Sequence, residues 1–174
     1  MTYGLDAFSS DLHNALKAKG LAGLPEIAEK LKALLVDPGF VAATFAGAPV
    51  PQRVLYHDAD SDAYVLAHVQ EAGKSGRPHS HGASWAVYGN VRGTTEMTEW
   101  RRVNPEDEDH AVLEATERYL LEPGQTRAYG PGVIHSTAHP HGALVIRVTG
   151  TDLNAIPRYH FRPKKDKILQ TTTA

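Results

Sequence analysis

Two histidines stand one residue apart in Gly73-Lys-Ser-Gly-Arg-Pro-His79-Ser-His81, and a third, His135, follows the turn Gly130-Pro131-Gly132. On an extended chain, residues i and i+2 project to one face, so His79 and His81 can chelate a single ion. In a helix the same spacing would point them apart, and the flanking Pro78 and Gly82 disfavour a helix in any case. The chain has 10 histidines and no cysteine. That excludes disulfides, thiolate metal sites and cysteine nucleophiles, and leaves imidazole as the main transition-metal ligand. The expected chemistry is therefore that of a metal centre held by His79, His81 and His135. A lone histidine is more often a structural residue than a ligand; the placement of the three gives them their interest.

The remaining sequence must position them. The first third is helical in pattern. Ser9-Ser10-Asp11 forms a cap-like run before LHNALKAK, which Gly20 stops. A second helix is expected from Pro25, with Ile27, Leu31, Leu34 and Leu35 on one stripe, ended by Asp37-Pro38-Gly39. A short third helix is expected over Phe40 to Phe45. From about residue 50 short apolar runs alternate with turn residues roughly every ten positions, the spacing of an all-β sandwich or barrel. The expected organisation is a helical segment over 1–48, a β-barrel over 49–165 and a polar, frayed tail over 166–174, all in one structural domain. With 18 basic and 20 acidic residues the net charge is -2, which argues against a dedicated nucleic-acid binder. No run reaches the roughly 18 apolar residues of a membrane span, and no secretory signal is visible, so a cytoplasmic protein is expected.

The histidines belong to two longer patterns. Gly73, His79, His81 and Gly93 fit G-x5-H-x-H-x4-(E)-x6-G, and Gly124, Gly132 and His135 fit G-x5-P-x-G-x2-H. Together these resemble the two signature motifs of the cupin superfamily, a double-stranded β-helix jelly roll, here preceded by a small N-terminal helical layer. The proline of the second motif falls on Gly130, with Pro131 beside it, and the glutamate of the first falls on Ala86. A three-histidine site without a carboxylate is similar to the cysteine-dioxygenase-like thiol dioxygenases. The run PHSHGASWAVYGNVRG resembles their bacterial members, and the resemblance covers roughly residues 10 to 165.

The resemblance implies a non-haem Fe(II) enzyme that oxidises a small carboxylate-bearing thiol to a sulfinate with dioxygen. It also implies that Arg53, on the first strand, holds the substrate carboxylate. Three neutral imidazoles leave about three positions of an octahedron open, as oxygen-activating iron sites require. Zinc, nickel or copper can take the same ligands. The Ser-His-Tyr relay of that family is replaced by Val145, Arg147 and Thr149, and no cysteine is present for a Cys-Tyr crosslink. This opens two alternatives: a metal-dependent cupin acting on a non-thiol small organic acid, and a non-enzymatic small-molecule-binding cupin.

Other residues follow from pattern. Alternation in ALVIRVT puts Val145, Arg147 and Thr149 on one face and the aliphatic Leu144, Ile146 and Val148 on the other. The first face is expected to line the cavity, with Arg147 a second substrate-binding arginine. Trp85 and Tyr88 are candidates for lining the substrate, although core packing is the commoner fate of such aromatics. Tyr129, His139 and Thr149 are candidates for catalytic work, Tyr129 as a replacement for the relay tyrosine. The expected partners are the substrate and dioxygen, with no nucleic acid or membrane, in a monomer or homodimer.

Overall fold

The structure, a computed structural model, describes residues 3–164 and 167–173, with side chains described over 3–162. Three helices come first: α1 (Leu5–Lys19), α2 (Leu24–Leu35) and α3 (Pro38–Phe45), with a short 3₁₀ turn over Gly20–Gly23. α1 begins earlier than its cap-like residues suggest. Ser9 and Ser10 lie inside it, and the Ser10 hydroxyl donates to the Asp6 carbonyl four residues back, at 3.0 Å. The buried stripe Phe8, Leu12 and Ala15 decides the helix, and it starts N-terminal to those serines. The α2 stripe is as expected: Ile27, Leu31, Leu34 and Leu35 are all buried. Asp37 ends that helix and caps the next, its side chain accepting from the Phe40 amide at 2.7 Å.

Eleven strands follow among the described residues. They are β1 (Gln52–Asp58), β2 (Ala63–Gln70), β3 (Lys74–Ser75), β4 (Ala86–Gly93), β5 (Thr95–Arg102), β6 (Leu113–Leu121), β7 (Thr126–Tyr129), β8 (Ile134–His139), β9 (Ala143–Thr149), β10 (Arg158–Lys164) and β11 (Lys167–Thr173). One antiparallel sheet has the order β1-β2-β9-β4-β7 and the other β3-β8-β5-β6. β10 pairs with β11 in a hairpin. The polar tail is thus strand over Lys167–Thr173 rather than frayed, because its backbone finds a ladder partner in β10. The expectations for Lys165, Asp166 and Ala174 lie outside the described residues. No helix among the described residues is long and apolar enough to cross a membrane.

The first sheet has two buried faces. Val65, Ala67, Val87, Ile146 and Val148 face the helices and pack with Phe8, Leu12, Ile27, Leu31 and Leu34. Ala86, Tyr88 and Val145 turn inward and meet Met97, Leu121 and Tyr129 between the sheets. The aliphatic face of β9 therefore lies on the helices and its Val145-Arg147-Thr149 face points into the barrel, as the alternation predicts. This is the double-stranded β-helix with an N-terminal helical layer. Gly89 permits its close helix packing, since a Cβ there would lie 2.6 Å from Leu35 Cδ1.

Candidate metal centre

The segment 78–81 is extended, held on both sides by backbone hydrogen bonds rather than lying inside a long strand. His79 N–H donates to the His135 carbonyl and His135 N–H to the His79 carbonyl, both at 2.9 Å. On the other side Phe161 donates to the Pro78 carbonyl and Ser80 to the Tyr159 carbonyl, again at 2.9 Å. β10 thus straps the H-x-H segment against β8. Gly132, at φ +75° in the Gly-Pro-Gly turn, donates to the Gly82 carbonyl at 2.9 Å and pins the two motifs together.

The three histidines meet as expected. Their ligand atoms all lie within 4.8 Å of one another, with His81 and His135 buried and His79 half-buried. The Nδ1 atoms of His79 and His135 face the carbonyls of Arg77 (2.9 Å) and Val133 (3.4 Å). Donation of Nδ1–H to those carbonyls leaves the Nε2 lone pairs for the cluster. Burial pushes His79 down to about 4 and His135 down to about 3, each from an ordinary 6.5. His81 is pushed down further, by burial first and then by its two neighbours. All three are neutral at pH 7, as metal ligation requires. These residues fit a divalent transition metal: three neutral nitrogen donors, two with their tautomer fixed by carbonyls. Ala86, where the motif has glutamate, is buried on the inner face of β4.

The same shifts carry a stability consequence. The folded pKa values lie below the unfolded one, so the unfolded chain takes up protons first as pH falls. Stability of the metal-free protein is fully present above about pH 6.5 and is lost as pH falls toward 4 and then 3. The melting temperature measured at pH 7, 5.5 and 4.5 is expected to fall steadily, and a flat profile would contradict these assignments.

Two tyrosines adjoin the cluster in different ways. The Tyr88 hydroxyl lies 3.2 Å from His81 Nε2 and 3.4 Å from His135 Nε2, directly at the donor atoms. The Tyr129 ring stacks on His135, with centroids 4.6 Å apart and planes 1° from parallel. Its hydroxyl, however, bonds to the Tyr119 hydroxyl, which in turn donates to Glu99 at 3.1 Å. Glu99 also accepts from Arg127. Tyr129 therefore walls and orients His135. The phenol that reaches the cluster is that of Tyr88, not the expected relay replacement Tyr129.

An interior cavity of about 100 Å³ opens beside the histidines, lined by His68, Gln70, His79, Tyr88, Thr95, Thr137, His139, Val145 and Arg147. His139 is buried there, with Nδ1 3.2 Å from Thr95 Oγ1. Thr149 lines a neighbouring pocket that also includes Arg147, and its hydroxyl donates to the Thr151 carbonyl at 2.9 Å. Trp85 is packed in the helix-side core against Gly150, away from the cavity; a Cβ on Gly150 would lie 2.5 Å from its indole nitrogen. His68, a histidine outside both motifs, lines the cavity with its Nε2 buried and unpartnered. Its signal lay in AYVLAHVQ, where it shares a parity with Tyr64 and Leu66. Burial and Arg147 push it down to about 3.

Arg53 is not brought to this site. It pairs with Ala67, which faces the helices, and its guanidinium donates to the Thr44 carbonyl of α3. It lines a pocket of about 300 Å³ on the helix side of the sheet, with Val41, Phe45 and Leu144. R53A is expected to lower stability by about 1 kcal/mol, through one lost hydrogen bond, and to leave the KM for acidic substrates within about twofold of wild type. A tenfold rise in KM, with thermal stability unchanged, would return Arg53 to the substrate.

No family model matches the chain, and no curated protein matches it. Solved structures with similar folds include KdgF from Halomonas sp., at 15% identity over 60% of this chain and 83% of that one, with a TM-score of 0.45. An RmlC-like cupin from Shewanella frigidimarina matches at 15% identity over 60% of this chain and 79% of that one, with a TM-score of 0.44. A conserved protein of unknown function from Streptococcus pyogenes matches at 19% identity over 57% and 72%, with a TM-score of 0.42.

Proposed function

We propose that this chain is a metal-dependent oxygenase that takes Fe(II) on His79, His81 and His135 and oxidises a small carboxylate-bearing thiol to a sulfinate. The observation that carries the reading is a cluster of three neutral imidazoles with no carboxylate, beside an interior cavity that holds the cationic Arg147. The reaction balances as thiolate plus dioxygen giving sulfinate, both oxygen atoms ending on sulfur. Bound iron supplies the electronic coupling that lets dioxygen react with a closed-shell thiolate. The chain's own residues do the rest. His79 and His135 keep their Nε2 atoms toward the cluster through their carbonyl-bound Nδ1 atoms. The buried Val145 and Tyr88 line the cavity. The Tyr88 phenol offers a hydrogen bond at the ligand atoms, and Arg147 attracts the substrate's negative charge into the barrel.

A second reading, oxidation of a thiol-free small acid, is favoured by one observation. Thr149, at the position of the family's relay tyrosine, has its hydroxyl bound to the Thr151 carbonyl. The test is oxygen uptake by protein loaded anaerobically with Fe(II), against cysteine, 3-mercaptopropionate, cysteamine and thiol-free acids. Thiol-dependent uptake with a sulfinate product is expected. Uptake with thiol-free acids alone would select the second reading, and none with iron demonstrably bound would refute both.

A further inference from the structure

The helix-side face of the first sheet is covered unevenly. α1 and α2 pack over Val65, Val87, Ile146 and Val148. Further along the same face Val69 and Leu144, register partners across β2 and β9, are only half-buried. α3 lies at this end without closing it. Phe40 and Thr44 of that helix are buried, while Val41 and Phe45 stay partly exposed. The result is a cleft of about 300 Å³ between α3 and the sheet, with Val41 and Phe45 on the helix side and Val69 and Leu144 on the strand side. Its size and apolar lining are those of a small-molecule site.

The cleft carries charge of one sign. Arg53 and Arg92 line it and no acidic side chain does, in a chain that has 20 acidic residues against 18 basic. Neither arginine has an ion-pair partner among the described residues; the arginines so paired are Arg101 and Arg127. Arg53 reaches from the sheet to the Thr44 carbonyl in the last turn of α3, which holds its guanidinium at the cleft and leaves its other N–H groups without a protein acceptor among the described residues. Arg92 stands on β4 in register with Leu144. The two cations thus come from β1 and β4, on either side of the apolar floor that β2 and β9 supply. An apolar floor between two unpaired cations is complementary to a molecule with an apolar tail and a negative head.

We infer that this cleft binds an amphipathic monoanion, with a medium-chain tail along Val41, Phe45, Val69 and Leu144 and its head group at the Arg53 guanidinium. The head is read for its charge, and Arg92 adds to the positive field. The cleft has the liquid volume of about ten waters, which sets the tail at about eight carbons. Each methylene buried should raise affinity roughly fourfold until the cleft is filled. The site lies on the opposite face of the sheet from the histidines and shares no lining residue with their cavity, so it stands or falls independently of the proposed reaction.

The test titrates octanoate, octanesulfonate, butanoate and 1-octanol into the whole chain without added metal, below micellar concentrations and at constant ionic strength, followed by calorimetry. Octanoate and octanesulfonate are each expected to bind once per chain. Butanoate, four methylenes shorter, should bind at least about 100-fold more weakly. 1-Octanol should bind at least about tenfold more weakly, for want of a charge-assisted hydrogen bond. R53M should weaken octanoate binding about tenfold, and R92M should weaken it less. V41W, which fills the cleft from the helix side, should abolish octanoate binding and leave Fe(II) affinity unchanged. R53M and V41W probe opposite sides of the cleft, so misfolding of one leaves the other decisive. Equal binding of 1-octanol or butanoate, or unaltered octanoate binding in either variant, would overturn the inference. So would a dimer of the chain, seen by sedimentation without ligand and dissociated by V41W, which would assign the cleft to a second copy.

Discussion

H135A is expected to weaken divalent-metal binding by more than about 100-fold and to abolish turnover. Loss of a residue that merely supports a ligand typically costs 10–100-fold in affinity, so loss of the ligand itself costs more. The backbone pair between His79 and His135 uses main-chain atoms only and survives the substitution. The side chain is 1% exposed and stacked on Tyr129, so its removal also leaves a cavity, with an expected stability loss of about 2 kcal/mol. H135Q, closer in volume, separates the two effects. It should regain much of the stability and little of the metal affinity. Metal analysis of purified and reconstituted protein, with urea unfolding, reads both. Full metal occupancy in both variants would dismiss the centre.

The largest effect on stability is expected from G93A. Gly93 has φ +72°, and a Cβ there would lie 2.2 Å from the Gly142 carbonyl oxygen and 3.0 Å from Ala143 Cα. Both contacts are backbone, in the turn that leads into β9, so neither can swing away. Gly142 is itself at φ +76°, with Gln70 O 2.9 Å from where its Cβ would be. The two turns pack against each other at one end of the barrel with no room for a methyl group. Left-handed backbone strain alone costs about 1–2 kcal/mol. Displacing the neighbouring turn should bring the total to about 4 kcal/mol, in the range reserved for severe lesions. Gly132 is a fitting control. It also has positive φ, at +75°, but nothing lies within 4 Å of its would-be Cβ. G132A should cost about 1 kcal/mol. Similar losses for the two variants in urea unfolding would show that the close packing at Gly93 is unimportant.

These two glycines show what a motif carries. Both occupy signature positions, and spacing alone gives them equal weight; only the approach of a second turn tells them apart. The histidine trio was legible because an i, i+2 pair on extended chain shares a face whatever sheet it joins. Arg147 was legible for the same reason, since seven residues of ALVIRVT leave little doubt about parity. Arg53 was not. The strand QRVLYHD has no clean alternation, and its ladder shifts register between Val54 and Tyr56. The residue that faces the barrel therefore depends on pairing with β2, which is tertiary information. Tyr129 looked like a relay residue because it precedes the Gly-Pro-Gly turn, but its hydroxyl is bound by Tyr119, ten residues earlier and on the other sheet. Likewise β10 comes from a polar stretch without periodicity, and its pairing beside His79 through His160 is a contact no local pattern encodes.

The most direct test of the three-imidazole centre is a count of protons. Fe(II) is titrated anaerobically into metal-free protein at pH 6.0, in buffers of different ionisation enthalpy. Three ordinary imidazoles with pKa near 6.5 would be roughly three-quarters protonated there and would release roughly two protons per ion. Histidines held at about 4 and below are already neutral. The account predicts one ion per chain and almost no proton release. Release of about two protons, or a stoichiometry other than one, would contradict it.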